Sequence, residues 1–492
     1  MDGSAHLGRL AEQALDRLGD YPSLFFGGTW YSSAELHARA RRAATALKGA
    51  GVTPGSRVVV MMANCPEVTI AYHALWRLGA VVTPAMFLLT PPEVRHIIDD
   101  SGAVAVIASP SLRPKLAGVS IPVLDPSELD ADGGEHPLVD RRPDDLAALL
   151  YTGGTTGRSK GVKLTHEQLI AGGGAARRTS HEPGINRGVL ALPLAHSYGI
   201  LVTVGGMHAE AGQAPVTVLQ RWFDPAGWLA LAAQHRAQAA AVVPSMLAML
   251  LAQPLESYDL SSLKYVASGA APLSPTLVRE FERRVPSATV REGYGCTETA
   301  GIISTTAPGQ RRLGTVGKPV PGMELRIVSA GGADLPPGED GEIVVRGPNV
   351  MSGYLHGEPV GRGDWFATGD IGHVDADGYL SIVDRKKDLI IRGGHNVFPR
   401  DIEDVLLAHP AVAGAAVVGR PDERLGEEVV AFVALHPTAT ATVDDLFAHA
   451  KANLSPMKYP REIRVLAAIP LTSVGKVDRK RVRTMLFQGR DM

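Results

Sequence analysis

A glycine- and threonine-rich segment follows an apolar run and has the residue types that bind phosphate. It reads YTGGTTGRSKG, spans residues 151–161 and comes directly after the apolar residues 146–150. Its glycines let the backbone turn and bring N–H groups close to an anion, and its threonines and Lys160 add hydroxyl donors and a positive charge. The segment therefore predicts a loop that holds a polyphosphate. The predicted phosphate-binding residues are Thr152, Gly153, Gly154, Thr155, Thr156, Gly157 and Lys160.

Other glycine-rich sites fit these residues less well. A Walker A loop ends in Gly-Lys-Ser/Thr, whereas Lys160 stands between Ser159 and Gly161. A serine-hydrolase elbow has a nucleophilic Ser at its centre, and Thr155 occupies that position here. The triplet 172–174 lacks the spacing of a dinucleotide-binding loop. A glycine-rich turn without a ligand stays open as an interpretation of the loop alone.

Six more motifs follow the loop in a fixed order. They are LPLAHSYG (192–199), YGCTE (294–298), TGD (368–370), DRKKD (384–388), GGHNV (393–397) and GK (475–476). Any one could occur by chance, but the full set in this order is specific. It resembles the adenylate-forming (ANL) superfamily, in the branch of acyl-CoA synthetases, the AMP-dependent acid–CoA ligases.

The resemblance implies an ATP-dependent ligase that works in two half-reactions. A carboxylate attacks the α-phosphorus of ATP and gives acyl-AMP and pyrophosphate, and then a thiol displaces AMP. Such displacement at phosphorus depends mainly on positioning and charge neutralisation. The implied cofactors and co-substrates are ATP, Mg²⁺ and coenzyme A. A stand-alone adenylation enzyme that loads a carrier protein is the alternative.

The resemblance also assigns a nucleotide site. Glu298 is expected to bind Mg²⁺, which prefers hard oxygen ligands, and Thr297 to assist at the α-phosphate. Asp370 and Arg385 are expected at the ribose. Each has a plainer interpretation, such as a surface glutamate or an Asx-turn. The segments expected around adenine are Gly269, Ala270 and Ala271, with Glu292, Gly293, Tyr294 and Gly295.

Four further assignments concern adenylation, domain movement, the coenzyme A channel and the acyl pocket. The resemblance implies that Lys476 reaches the carboxylate and the α-phosphate during adenylation, and that Lys387 is a hinge. It implies that Gly393 and Gly394 line the coenzyme A channel. His196 is expected beside the acyl pocket, although a structural core histidine is an equal interpretation.

The pocket segments indicate the type of acid. No acidic residue lies in 189–204, where amino-acid-activating relatives usually carry an Asp, so we expect a plain carboxylic acid. Residues 202–207 and 267–272 are small or apolar, which favours an aliphatic or aromatic acid. Neither segment has an arginine for a dicarboxylate, while Arg221 and Arg236 stay open.

The phosphate loop departs from the usual family pattern at two positions. Gly153 stands where relatives often have Ser, and Ser159 where they usually have Pro. Both changes are expected to make the loop more mobile. Each is expected to raise the free-energy cost of ordering the loop by about 1 kcal/mol. Phosphate binding is still predicted, but tight nucleotide affinity is not.

The elements that position these motifs alternate between strands and helices. This rhythm predicts α/β architecture with doubly wound parallel sheets covered by helices on both faces. After about residue 310, turn-rich strands predict a small barrel-like unit, followed by a small mobile α+β domain. We expect an N-terminal domain at 1–384, a hinge at 385–388 and a C-terminal domain at 389–492. The predicted strands include 57–62, 103–107, 189–192, 239–243, 265–268, 324–328, 341–346, 415–419 and 429–435.

Composition sets the wider limits. Apolar residues make up 45% of the 492 residues, charged residues 20%, and the net charge is -2, so nothing favours a nucleic-acid partner. Two cysteines favour a reducing compartment, and no apolar run has the length of a signal or membrane segment. A cytoplasmic enzyme is expected. A non-enzymatic ATP-binding module and a Ser or Thr hydrolase are the other classes considered.

Overall fold

The computed structural model describes residues 6–130, 134–152, 158–393, 395–437, 439–472 and 476–487. The chain divides into two compact units. The first comprises Met1–Leu325 with Val345–Phe366, and the second comprises Arg326–Val344 with Ala367–Met492. Within the described ranges, no helix has the length and apolar character needed to cross a membrane.

The first unit holds two mixed sheets and the helices that cover them. Its helices are α1 (Leu7–Leu18), α2 (Ser33–Gly49), α3 (Pro66–Arg77), α4 (Pro91–Ser101), α5 (His166–Ser180), α6 (Ser197–Gly206), α7 (Pro225–Gln234), α8 (Pro244–Leu251) and α9 (Pro275–Arg284). Its strands are β1 (Pro22–Phe26), β2 (Thr29–Ser32), β3 (Arg57–Met61), β4 (Val81–Pro84), β5 (Ala105–Ala108), β6 (Val123–Leu124), β7 (Leu146–Thr152), β8 (Lys160–Thr165), β9 (Arg187–Leu190), β10 (Val216–Leu219), β11 (Ala239–Val242), β12 (Tyr265–Ser268), β13 (Thr289–Tyr294), β14 (Ser304–Thr305) and β15 (Lys318–Pro319).

The larger sheet has the order β15-β14-β13-β12-β11-β9-β10-β1-β2. Its strands run parallel from β13 to β1 and antiparallel at both edges. Carboxyl ends of parallel strands meet at one edge of a sheet, which is where open α/β sheets bind ligands. The loop after β12 and the turn after β13, both predicted to contact nucleotide, lie at this edge.

The other sheet has the order β6-β5-β3-β4-β7-β8 and is parallel except for the β7–β8 hairpin. The valines of β3 are buried along the strand, at 0–1% exposure for Val58, Val59 and Val60. A continuous apolar run of this kind is typical of a parallel strand covered on both faces. The hairpin β7–β8 carries the predicted phosphate loop.

The second unit contains a small sheet and a separate α+β part. The small sheet has the order β16 (Glu324–Val328), β17 (Gly341–Arg346), β18 (Phe366–Val374), β19 (Leu380–Arg385), each strand with most of its residues in this unit. The α+β part comprises β20 (Ile390–Arg392), β21 (His395–Val397), α10 (Pro399–Leu407), β22 (Val412–Asp422), β23 (Gly426–Leu435), α11 (Val443–Asn453), β24 (Glu462–Leu466) and α12 (Arg479–Met485).

The long strands β22 and β23 divide the core of the α+β part into two layers. Val417 and Val429 face a cluster shared with α10 and α11, whereas the adjacent Val418 and Val430 face a cluster shared with α12. Successive strand residues point to opposite faces, so alternate positions supply alternate layers. Helices on both faces therefore cover this sheet.

The predicted fold class is confirmed. The large N-terminal part is α/β, the predicted barrel-like unit is the small sheet β16–β19, and an α+β part ends the chain. Strands β12, β16 and β17 have their predicted bounds, and most others differ by a few residues, as for β22. Helix α2 begins after Ser32, whose hydroxyl accepts a hydrogen bond from the N–H of Glu35 at 3.1 Å.

Candidate active site

The base of the phosphate loop is a β-hairpin. Thr152, the last residue of β7, pairs with Lys160, the first residue of β8. The ammonium of Lys160 lies 5.4 Å from the ring centre of Tyr354, within cation–π range. The hairpin thus holds Thr152 and Lys160 side by side. The predicted ligands Gly153, Gly154, Thr155, Thr156 and Gly157 lie outside the described residues.

Helix α4 fixes the loop on both sides. The hydroxyl of Tyr151 donates to Asp100 at 2.7 Å. On the other side, Nε2 of His96 lies 2.9 Å from the carbonyl oxygen of Ser159 and donates to it. Both contacts come from one helix, so α4 sets the positions at which the loop leaves β7 and enters β8.

Glu298, the predicted magnesium ligand, is half-buried and has one oxygen held. Tyr354 donates its hydroxyl to Oε1 of Glu298 at 2.9 Å. Burial, followed by the charge of Glu298, raises the pKa of Tyr354, so this hydroxyl stays protonated and donates. Oε2 has no hydrogen-bond partner among the described residues. Lys160, Tyr354 and Glu298 therefore form a contiguous group.

The turn that carries Glu298 is held rigidly. The buried Asn349 donates from Nδ2 to the carbonyls of Thr299 and Ile302, each at 2.8 Å. At Gly295, a Cβ would lie 2.5 Å from the carbonyl oxygen of Gly301, so only glycine fits. Thr297 donates to the hydroxyl of Ser197 at the start of α6, at 3.4 Å. This support fixes the predicted phosphate and magnesium ligands.

The predicted adenine segments lie side by side at the carboxyl edge of the large sheet. Strands β12 and β13 pair in parallel, with Ser268 opposite Glu292. At Gly269, a Cβ would lie 3.0 Å from the carbonyl of Gly293, so the two segments approach closely. Ala270 has φ of 68°, a left-handed conformation that is strained for a residue with a Cβ. Such strain is frequent at functional sites, and here it falls on a predicted adenine neighbour.

A cavity of about 410 Å³ opens beside these segments. It is lined at this end by Gly269, Ala270, Tyr294 and His196. His196 is the N-cap of α6, and its Nδ1 accepts from the N–H of Tyr198 at 3.2 Å. His196 therefore lies at the cavity, and its place beside an acyl pocket stays a prediction.

Asp370 and Arg385 form a pair within the second unit. They stand opposite each other on β18 and β19, and Nε of Arg385 lies 3.0 Å from Oδ1 of Asp370. Asp370 is 4% exposed, and its N–H donates to the hydroxyl of Thr368 at 3.1 Å. The two predicted ribose contacts therefore belong to one local group.

The predicted hinge residue Lys387 is exposed between two buried aspartates. Asp384 accepts from the N–H of Arg400 at 2.9 Å, and burial raises the pKa of its carboxyl. Asp388 pairs with Arg483 at 2.9 Å. The cationic residues 385–387 thus lie between two aspartates that are held in place by their contacts.

Gly393 and Lys476 complete the predicted residues of the second unit. Gly393 has φ of 58°, and its N–H donates to the carbonyl of Leu425 at 2.7 Å. The N–H of Lys476 donates to the hydroxyl of Thr472 at 3.2 Å. Gly394 lies outside the described residues.

Two family models match this chain. The model of the AMP-binding enzyme matches residues 10–355, and that of the AMP-binding enzyme C-terminal domain matches residues 401–476. This chain belongs to the AMP-binding enzyme family.

Relatives of this AMP-binding enzyme align over nearly all of it. Feruloyl-CoA synthase of Amycolatopsis sp is 35% identical and aligns over 93% of this chain and 94% of its own length. Long-chain-fatty-acid–CoA ligase of Bacillus subtilis is 31% identical over 95% and 92%. A solved structure of O-succinylbenzoate coenzyme A synthetase of Bacillus subtilis, in complex with ATP and magnesium ion, has a TM-score of 0.87 at 29% identity, covering 96% and 99%. The predicted branch, that of acid–CoA ligases, is confirmed.

Four side chains of this AMP-binding enzyme's site escaped the motif comparison. Tyr354 and His96 support Glu298 and the loop, while Arg177 and Arg187 line the cavity. Arg221 and Arg236, the arginines left open from the sequence, are not among the cavity's lining residues. Only the fold brings Arg177 and Arg187 to the cavity, since neither lies in a segment with a recognisable motif.

Proposed function

We propose that this AMP-binding enzyme joins a carboxylic acid to coenzyme A in two half-reactions, through the residues described above. The chain is an ATP-dependent, AMP-forming acid–CoA ligase for an aliphatic or aromatic acid. The observation that carries the proposal is the cavity that ends at Gly269, Ala270, Tyr294 and His196. An acid bound in this cavity and a nucleotide bound against the adenine segments would meet at that end of the cavity.

In the first half-reaction, the chain binds and orients ATP. The loop 152–160 holds the β- and γ-phosphates, and Thr297 lies at the α-phosphate. Glu298 fits Mg²⁺, because Tyr354 fixes one oxygen and leaves Oε2 without a partner among the described residues. When bound there, Mg²⁺ would neutralise negative charge on the phosphate oxygens. Adenine lies between 269–271 and 292–295.

The residues of the second unit complete the proposal. Asp370 accepts from the ribose hydroxyls, and Arg385, which contacts Asp370, donates to the ribose. Lys476 neutralises charge on the carboxylate and the α-phosphate during adenylation. Torsions at Lys387, between domains 1–384 and 389–492, then move Gly393 and Gly394 to the thiol channel for coenzyme A. A solved relative in complex with ATP and magnesium ion supports ATP and Mg²⁺ as the bound groups.

Exchange of pyrophosphate into ATP tests the first half-reaction. We expect exchange that depends on an added carboxylic acid, and a loss of roughly 100-fold in Glu298→Gln, since charge neutralisation is a main source of catalysis. Absence of exchange with every acid in an aliphatic and aromatic panel would overturn the proposal.

The acceptor is tested with the acid that supports exchange. We expect thioester formation with free coenzyme A and none with a phosphopantetheinylated carrier protein. Thioester formation on the carrier alone would contradict the coenzyme A assignment and favour the carrier-loading alternative.

A further inference from the structure

The cavity runs along the strands of the large sheet, away from the nucleotide end. Alternate positions of β12 and its continuation, Tyr265, Ala267 and Gly269, line the cavity. Since side chains on one face recur every second residue, one face of β12 forms the wall. Four residue steps along a strand cover about 13 Å. The cavity is therefore long, with Gly269 at the nucleotide end and Tyr265 at the far end.

Helix α6 forms the facing wall over a matching length. Tyr198, Leu201, Val202 and Gly206 line the cavity in order along the helix. From Tyr198 to Gly206 the helix advances about 12 Å. With Ala267 opposite, the middle of the cavity is apolar and suits a hydrocarbon or aryl body.

The far end is polar and cationic. Arg177, in the last turn of α5, lines the cavity there together with Tyr21 and Tyr265. Arg187 also lines this end, because β9 and β12 flank β11 with Gly188 and Tyr265 both opposite Ala239. Among the described residues that line the cavity, none is acidic.

Arg177 has little compensation for its charge. Its guanidinium donates one long hydrogen bond of 3.4 Å, to the carbonyl oxygen of Gln213. No carboxylate of the described residues lies within 4.0 Å of it. Burial lowers the pKa of Arg177. The nearby Tyr265, the carboxylate of Glu210 and Tyr21 partly oppose this effect. A half-buried cation without an ion-pair partner at contact distance is unfavourable unless a ligand supplies an anion.

The two tyrosines have unused hydroxyl groups. Neither Tyr21 nor Tyr265 has a hydrogen-bond partner for its hydroxyl among the described residues. Burial raises the pKa of Tyr21 to about 12, so the hydroxyl donates at neutral pH. The guanidinium of Arg291 lies 4.3 Å from the ring centre of Tyr265 and pairs with Glu182, which fixes this ring in place.

We propose that the cavity takes carboxylic acids that carry a second oxyanion, a carboxylate or sulfonate, at the far end of an apolar body. Arg177 pairs with this oxyanion, and Tyr21 and Tyr265 donate to it. The proposal rests on the proposed function and narrows its substrate class. It differs from the expectation from sequence, because Arg177 lies outside segments 202–207 and 267–272, neither of which carries an arginine.

Matched acids test this proposal in the full-length enzyme. An extended chain advances about 3.4 Å for every three bonds, so 13 Å corresponds to roughly eleven bonds. Acid-dependent pyrophosphate exchange is therefore measured with monocarboxylic acids and α,ω-dicarboxylic acids of six to twelve carbons, and with ω-hydroxy and ω-sulfonate analogues. We expect kcat/KM for the best diacid to exceed that of the monoacid of equal length roughly 10- to 100-fold, as for a charged hydrogen bond.

Variants separate recognition from folding. In Arg177→Gln we expect KM for the diacid to rise roughly 10- to 100-fold, with kcat and monoacid use little changed. Arg178→Gln is the matched control, because Arg178 is exposed on the same helix and does not line the cavity. Arg177→Glu is expected to gain use of an ω-amino acid, which a merely structural role does not predict.

The outcomes distinguish the two proposals. Exchange with monoacids or ω-hydroxy acids in preference to diacids and sulfonates, or equal losses for all acids in Arg177→Gln, overturns the second-oxyanion proposal alone. Absence of exchange with every acid overturns the proposed function and this proposal with it.

Discussion

At the scale of single residues, the contact between Tyr354 and Glu298 joins three parts of the site. Tyr354 fixes Oε1 of Glu298 and offers its ring to Lys160. A carboxylate with one oxygen fixed loses less rotational freedom when it binds Mg²⁺. Tyr354 is therefore interpreted as a positioning residue.

The variant Tyr354→Phe tests this role. It keeps the ring beside Lys160 and removes the hydroxyl that holds Glu298. We expect the apparent KM for magnesium–ATP to rise roughly 10-fold, the size of a hydrogen bond to a charged group. Pyrophosphate exchange at varied Mg²⁺ measures this, with Tyr258→Phe, away from the described site, as the control. An unchanged KM would contradict the positioning role. A raised KM that added Mg²⁺ does not lower at all would contradict it as well.

At the scale of elements, α4 acts as a support for the phosphate hairpin. Asp100 and His96 hold Tyr151 and Ser159, which flank the loop. Ser159 stands where the family resemblance predicts a proline, and the contact of His96 with the carbonyl of Ser159 is expected to compensate in part. This support is a property of packing between α4 and β8, not of the loop sequence.

The pair His96→Ala and His96→Gln tests the support. The alanine variant loses the bond to Ser159, so we expect KM for ATP to rise about 3- to 10-fold. Glutamine places an amide N–H near the position of Nε2 and is expected to restore most of the affinity. An equal KM for ATP in both variants would show that the hydrogen bond to Ser159 does not affect ATP binding.

A second element-scale feature is the buried start of α5. His166 is 0% exposed, and its Nδ1 accepts from the N–H of Leu7 at 3.2 Å. Burial, with a smaller contribution from His6, lowers its pKa to about 3. Below a pH of about 6.5, the unfolded chain protonates this histidine while the folded chain does not until about 3. The free energy of unfolding therefore falls as pH drops from about 6.5 towards 3.

Denaturation at several pH values measures this effect. His166→Asn keeps an acceptor for Leu7 and cannot titrate. We expect the loss of unfolding free energy from pH 8 to pH 5 to be smaller in this variant by up to about 2 kcal/mol. His436→Asn, at an exposed site, is the control. Parallel pH curves for wild type and His166→Asn would rule the explanation out.

At the scale of the whole molecule, we propose that the charged stretch 384–388 contains the hinge. Asp384 and Asp388 are fixed by contacts within the second unit, while Lys387 between them is exposed. Packing alone does not locate a hinge, because a hinge is defined by the torsions that change. The position at Lys387 stays a prediction.

Lys387→Pro fixes φ near −65° at this position. We expect acyl-AMP formation to continue and thioester formation from supplied acyl-AMP to fall roughly 100-fold, as for misplaced reacting groups. The two half-reactions are measured separately, with Lys387→Ala as the matched control, because alanine removes the charge and leaves φ free. Normal rates in both half-reactions would place the hinge elsewhere.

Lys476→Ala tests the opposite half-reaction. Removal of the ammonium is expected to lower acyl-AMP formation by roughly 100-fold, because charge on the α-phosphate is no longer neutralised. Thioester formation from supplied acyl-AMP is expected to change far less. Equal losses in both half-reactions would contradict the assignment.

The family and the fold class follow from the sequence alone, and the sequence predicts the phosphate loop. These depend on local patterns: the valine run of β3, the glycine-rich segment after an apolar run, and motifs in a fixed order. The β7–β8 hairpin at the base of the loop was not predicted. Residues that pair locally, such as Asp370 and Arg385 on neighbouring strands, were also both found from their motifs. Their partnership was not, because pairing depends on the register of β18 and β19.

Only the tertiary structure decided which side chains meet across the chain. Tyr21 directly precedes β1, Arg177 lies in α5 and Tyr265 lies in β12. None of the three belongs to a motif. They reach one end of the cavity because parallel strands place their amino ends at one edge of the sheet and α5 ends there. Burial makes the charge of Arg177 unfavourable without a bound anion. Burial depends on the packing of the whole unit and is not visible in the sequence around Arg177. The phosphate loop is predicted from local sequence, whereas the proposed selection of the acid depends on long-range packing.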